Sequence, residues 1–397
     1  MIKSIRSDKV KRWDQLLFLV IAFIFWFAHF LYIPMLSPYI EHLGGTFTFT
    51  GIVLASYGLM QFLFRVPTGI SSDLLNNRKL FVVLGMAIST ASCLAFALTE
   101  SLEWVLISRA LAGIAAATWV AFTILFSNYA ADDKLHSAMG NLSFALVFAQ
   151  LLGMALSAWL VEELGWDAPY WIGTILGGIG LLLSFFISEE NKRPVNKPIK
   201  LRELGTVVRE PMLLKVSLLS IFAHSIIFTT MFGFTTAYAL SKGLRPAEIS
   251  LVVFAFMIPH AIATLMSGKP FILKIGKWRI LQLAFLTTAI FTMLMALIET
   301  KILFLFLQMM NGFALGLLFP LFLGMAVEKI PHAKRATAMG AYQAIYAIGM
   351  FVGPFVAGLL NTSFGLEASF YFSGCISILG FICSLIWSRE IKPITME

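Results

Sequence analysis

Twelve unbroken apolar runs, each about 20 residues or longer, take up most of this 397-residue chain. They lie at roughly 15–37, 49–68, 79–99, 102–126, 137–161, 168–188, 213–240, 247–267, 278–298, 302–327, 336–360 and 368–388. A helix of about 20 apolar residues crosses the hydrocarbon core of a bilayer. A membrane β-barrel would instead show runs of about 10 residues that alternate in polarity. These runs do not alternate, so the sequence predicts an all-α membrane protein with twelve spans. Composition agrees. The chain is 59% hydrophobic and 13% charged, against about 25% charged in a soluble domain. That excludes a cytosolic enzyme, a disordered regulator, a secreted disulfide scaffold and a free nucleic-acid binder.

The basic residues set the orientation. The net charge is +8, and with the N-terminus inside, 24 of the 29 Lys and Arg residues fall on the cytoplasmic side. Only Lys242, Arg245 and Lys301 lie outside, and Arg65 and Arg109 lie within spans. Both termini are therefore expected to be cytoplasmic, in the cell's inner (plasma) membrane. The first run follows Lys3, Arg6, Lys9, Lys11 and Arg12, and no small-residue cleavage site ends it. It reads as a first span and not as a removed signal peptide. Cys93, Cys375 and Cys383 all sit in apolar runs without a CxxC pair and read as packing residues.

The two halves repeat each other. Ala138-Met139-Gly140 recurs as Ala338-Met339-Gly340, Gly153 as Gly353 and Gly165 as Gly365, all at an offset of 200. At an offset of 199, Tyr39 matches Tyr238, Gly69 matches Gly268 and Gly113 matches Gly312. A near-constant offset across several spans predicts two parallel bundles of six helices, at 1–188 and 213–397. They are joined by a polar, basic linker at 189–212 whose side chains suit anionic headgroups. Parallel halves of this kind place a substrate site at the seam between them and expose it to either side in turn.

At this point the chain resembles the major facilitator superfamily. After span 2 it reads Gly69-Ile-Ser-Ser-Asp73-Leu-Leu-Asn-Asn77-Arg78-Lys79, which is similar to the family's Gly-x-x-x-Asp-Arg-x-Gly-Arg-Arg signature. Leu74 and Asn77 stand where the signature has Arg and the second Gly. Arg109 followed by Gly113 looks like the family's span 4 pattern. Gly349-x-x-x-Gly353-Pro354 in span 11 resembles a glycine–proline pattern that the family's antiporters carry on span 5. Length, short loops and Arg109 make the drug:proton antiporter branch the nearest resemblance. It implies the major facilitator fold and a secondary transporter that moves a small organic solute by alternating access, with proton-coupled efflux. It also implies a gate at Gly69, Asp73 and Arg78. Gly69 would allow close helix approach, and Asp73 would face the positive N-terminal end of a helix in the second half, such as span 11.

Polar groups inside spans are the candidates for substrate or proton contact. They are His29, Arg109, His224, Gln308, Asn311 and Gln343; Gln61, Gln150 and His260 also lie within spans. Trp26, Tyr32, Trp119 and Tyr346 are candidates to line a pocket. A lone membrane His or Gln serves as readily as a hydrogen-bonded packing group. No Asp or Glu lies in the middle of a span, so proton coupling would fall to a histidine, whose ordinary titration range suits it. An uncompensated Arg109 favours neutral, amphipathic or anionic substrates over cations. No Walker loop, metal-ligand spacing or nucleophile elbow is present, so neither a cofactor nor an enzymatic activity is expected. Expected partners are a small-molecule substrate, membrane lipid and protons, with the chain a monomer. A lipid or glycolipid flippase of the same fold and a non-transporting membrane receptor or scaffold are the alternatives.

Overall fold

The computed structural model describes residues 2–130, 135–189, 205, 209–267, 274–331 and 334–389. Most of the linker at 189–212, together with Gly268 of the repeat, lies outside the described residues. The described chain is helical, without strands. It comprises α1 (Ile2–Phe30), α2 (Ile33–His42), α3 (Phe47–Leu74), α4 (Arg78–Leu98), α5 (Leu102–Ala117), α6 (Trp119–Asn128), α7 (Leu135–Leu164) and α8 (Ala168–Ser184). After the linker come α9 (Pro211–Thr229), α10 (Thr235–Ser241), α11 (Ile249–Met266), α12 (Lys277–Met295), α13 (Lys301–Val327), α14 (Arg335–Phe364) and α15 (Glu367–Arg389).

Among the described residues, eleven helical stretches are long and apolar enough to cross a membrane, and α8 is a shorter apolar helix. Three predicted spans are each built from two helices. Span 1 breaks at Leu31 and Tyr32, ahead of α2, which carries Pro34 in its first turn. Proline has no N–H to offer the carbonyl four residues back and its ring crowds that carbonyl. Span 4 breaks at Thr118, whose hydroxyl donates to the Ala115 carbonyl at 2.7 Å. Span 7 passes through a π-helical turn at Thr230–Phe234 between α9 and α10. There the Thr230 hydroxyl donates back to the Ile226 carbonyl at 2.7 Å, the side-chain competition that bends helices.

The chain divides into two compact units, one of residues 1–45 and 56–200, the other of residues 46–55 and 201–397. In the first, α1 packs along α7 and α8, and α4 along α5 and α8. In the second, α9 packs along α14 and α15, and α12 along α13 and α15. The same packing thus occurs twice, as the repeat requires. The recurring glycines have physical reasons. Gly165 and Gly365 follow the last residues of α7 and α14 with φ of +94° and +85°, the left-handed helix end that glycine adopts without strain. Gly140 and Gly340 have open space where a side chain would go, and the structure offers no reason for their recurrence. Leu, Ile and Phe side chains such as Phe144, Leu182, Leu265 and Ile302 are exposed on both units, as on a surface whose solvent is lipid.

Candidate functional site

In the first unit, one face of the first span carries Trp26, His29 and Tyr32. Three-residue spacing stacks Trp26 and His29 on α1, and Tyr32 follows in the break before α2. Each meets a group on the two helices of span 4. Trp26 packs edge-on against Trp119, with ring centroids 5.1 Å apart. His29 reaches the Ala112 carbonyl, and Tyr32 accepts a hydrogen bond from Arg109 Nη1 at 3.2 Å. Arg109 is 2% exposed, so it does not snorkel to a surface. Its guanidinium carbon lies 4.1 Å from the centroid of the Tyr57 ring and 5.8 Å from that of Tyr32. Cation–π contacts of this kind offset part of the cost of a buried charge. Gly113, one turn on from Arg109, makes the approach of Tyr57 possible: a Cβ there would lie 2.5 Å from the Tyr57 carbonyl oxygen.

His29 is 3% exposed and its ring sits between two acceptors. Nδ1 is 2.8 Å from the Phe25 carbonyl and Nε2 is 3.2 Å from the Ala112 carbonyl. A carbonyl only accepts, and only the doubly protonated ring donates from both nitrogens. The Ser89 hydroxyl stands 3.3 Å from Nδ1 and can donate to the neutral ring instead. The doubly protonated ring thus has an acceptor at each nitrogen, whereas a bare Nδ1 would accept from Ser89 only after turning away from the Phe25 carbonyl oxygen 2.8 Å from it.

In the second unit, His224 Nδ1 faces the Ser220 carbonyl at 2.8 Å and the Ser220 hydroxyl at 3.2 Å. That hydroxyl shares a hydrogen bond with the Tyr342 hydroxyl at 2.8 Å. The His224 ring stacks on Tyr346 with centroids 4.0 Å apart and planes 4° apart, and Phe319 meets it edge-on. His260 packs against the same Phe319. Gln308 and Asn311 lie elsewhere. Gln308 donates to the Met231 sulfur at 3.3 Å, and Asn311 bonds Thr292 and the Met295 sulfur. Each is bonded to its own partners within the helix packing, and none of these bonds reaches the His224 cluster. Gln343 is half-buried on α14.

The predicted gate differs from expectation at Gly69. Gly69 carries no close helix approach, since a Cβ there would be 3.8 Å from its nearest neighbour, a Val120 methyl. That is ordinary packing distance. Asp73 pairs within its own loop, with Arg78 Nη2 at 2.7 Å. A carboxylate does sit on a helix N-terminus here, but it belongs to Glu189. Its two oxygens accept from the backbone N–H groups of Arg78 and Lys79, at 2.8 and 3.0 Å, at the start of α4. Free N–H groups and the helix dipole make this a good place for an anion. Tyr57, Ser89 and Glu189 escaped the sequence reading. An aromatic or a serine in an apolar run has no distinguishing signal, and Glu189 reads as the first residue of a polar linker. Among the described residues, no cluster of three His, Cys, Asp or Glu side chains could hold a metal.

Two units that repeat one helix packing, apolar on the outside and holding ionisable side chains away from water, have the build of a multi-pass secondary transporter of small molecules. Comparison with known families makes this specific. The Major Facilitator Superfamily model matches residues 18–245 and again 218–395; the chain belongs to the major facilitator superfamily and is a transporter, not an enzyme. It is 26% identical over 356 residues to the inner membrane transport protein YajR of Escherichia coli, covering 86% of this chain and 76% of the relative. It is 24% identical over 396 residues to a multi-drug resistance efflux pump PmrA homolog of Lactococcus lactis, covering 96% and 97%. The drug:proton antiporter-like branch is thus the one it resembles. Its fold matches that of a bacterial homolog of the human lysosomal transporter Spinster with a TM-score of 0.79 at 15% identity, over 96% of this chain and 97% of that one.

Proposed function

We propose that this chain exports a small organic solute from the cell by proton-coupled alternating access. It would work as a monomer in the plasma membrane with both termini cytoplasmic. Bundles at 1–188 and 213–397, joined through the linker at 189–212, would be the moving halves. The observation that carries this reading is His29, a buried titratable group set between two carbonyl acceptors with the Ser89 hydroxyl beside it. The efflux pumps among its relatives support the direction. In this reading Arg109 contacts substrate, His29 and His224 carry protons, and Gln308, Asn311 and Gln343 complete the second half of the path. The test is flux of a panel of fluorescent dyes in proteoliposomes, with and without a pH gradient. Flux that grows with the gradient and collapses on addition of an uncoupler is the expected result. Flux indifferent to both would refute proton coupling.

Asp73 and Arg78 are the proposed cytoplasmic gate, in the motif that begins at Gly69. Replacing Asp73 with Ala is expected to slow transport several-fold. The protein should stay folded, because an ion pair near the membrane edge contributes about 1 kcal/mol or less. Turnover measured beside a thermal unfolding curve checks this, and unchanged turnover would remove Asp73 from the gate.

A further inference from the structure

We infer that Arg109 is the charge partner of an anionic substrate, a small organic carboxylate with an apolar body. This rests on the transporter reading and names its substrate class. Arg109 is 2% exposed in a span whose surroundings are lipid, and no ion pair among the described residues includes it. No Asp or Glu occupies the middle of any predicted span. A cation held in such a place without a counter-charge is unfavourable and marks a functional site.

The aromatic rings do not complete its coordination. Tyr57 covers a face of the guanidinium, whereas the five N–H donors point outward in the guanidinium plane. Tyr32 takes one of them, from Nη1. Nε is buried and has no hydrogen-bond partner. What is left is a planar fork of donors, the shape that a carboxylate fills with two parallel hydrogen bonds. His29 and Trp26 lie on α1, ahead of Tyr32 in the first span. The buried indole Nε1 of Trp26 is likewise without a partner, and its ring packs on Trp119. Donors at the Arg109 end with indole and phenyl rings beyond them fit an acid with an aromatic or aliphatic body. They do not fit a cation, which would meet positive charge and N–H donors.

The experiment uses the purified full chain in detergent and follows thermal unfolding with 2-naphthoate, benzoate and indole-3-acetate, each beside its uncharged amide. At least one acid is expected to raise the midpoint in a saturable way while its amide does not. Arg109→Lys, which keeps the charge and loses the fork, should weaken that protection at least tenfold, and Arg109→Gln should abolish it. Without ligand, Arg109→Gln should unfold no earlier than the wild type, because removing an uncompensated buried charge outweighs the one hydrogen bond lost to Tyr32. The inference is overturned if no acid protects, if the amides protect equally, if protection survives Arg109→Gln, or if that variant unfolds early or fails to fold. Dye flux separates this from the wider reading. Gradient-driven flux of a cationic dye without protection by any acid sinks the anion site alone. Arg109-dependent protection with gradient-indifferent flux sinks proton coupling alone.

Discussion

A His29→Gln variant is expected to lose pH-gradient-driven transport down to the level of empty liposomes, while solute exchange at equal pH persists. Gln keeps one donor and one acceptor, so it can still bond the Ala112 carbonyl and the Ser89 hydroxyl that surround His29. Its cost to stability should be about 1 kcal/mol, the scale of a single hydrogen bond. What Gln lacks is the second protonation state. Between two carbonyls 2.8 and 3.2 Å from its nitrogens, the imidazole can take a proton and place both N–H groups on acceptors. When it gives up the Nδ1 proton, a small turn of the ring away from the Phe25 carbonyl lets the bare nitrogen accept from the Ser89 hydroxyl. Ser89→Ala removes only that second arrangement and should slow turnover several-fold without uncoupling it. Counterflow and gradient-driven flux measured on the same liposomes check the prediction. Gradient-driven flux that survives in His29→Gln would move the proton to another group, with His224 the next to test.

The second large effect is steric. Gly113→Val is expected to destabilise the protein by about 3 kcal/mol or more, the upper range for forcing extra atoms into a packed interior. A Cβ at this position would lie 2.5 Å from the Tyr57 carbonyl oxygen and 2.9 Å from the Tyr57 Cα. Both are backbone atoms, which cannot swing aside as the end of a side chain would. Relief requires α5 and Tyr57 to separate, and that draws the aromatic ring away from the Arg109 guanidinium. Small residues set helix separation in membranes because lipid leaves no hydrophobic force to make good the lost packing. Gly140→Ala serves as the contrast. Nothing lies within 4 Å of a Cβ there, and an alanine in a helix is favoured over glycine by about 1 kcal/mol. Thermal unfolding of the two variants should therefore move in opposite directions. A Gly113→Val protein as stable as the wild type would refute the close approach.

These cases show which parts of the molecule could be read from the sequence. Spans were legible because lipid demands long apolar stretches, and the duplication was legible where glycine is required by backbone conformation, as at Gly165 and Gly365. Arg109 and His29 stood out because charge and titratable groups are rare in apolar runs. Tyr57 did not, because a tyrosine in such a run is unremarkable until its ring is found over a cation. Gly69 misled for the opposite reason. The motif around it is recognisable, yet the space beside it admits a side chain. Glu189 was hidden because a polar linker gives no sign that one of its carboxylates caps the start of α4. Proline 34 signalled the interruption of the first span, but the hydropathy of the run hides it.

The interruptions of the first and seventh spans occur at 31–32 and at 230–234, the same point in each repeat. In an uninterrupted helix, tilting one end against the other means stretching or breaking backbone bonds, which is expensive where no water can take their place. Here the regular ladder is already suspended, so the short segments that follow, α2 and α10, are articulated on the long ones before them, α1 and α9. Each half therefore carries a wrist near one end of its leading helix, and small swivels there need no unravelling.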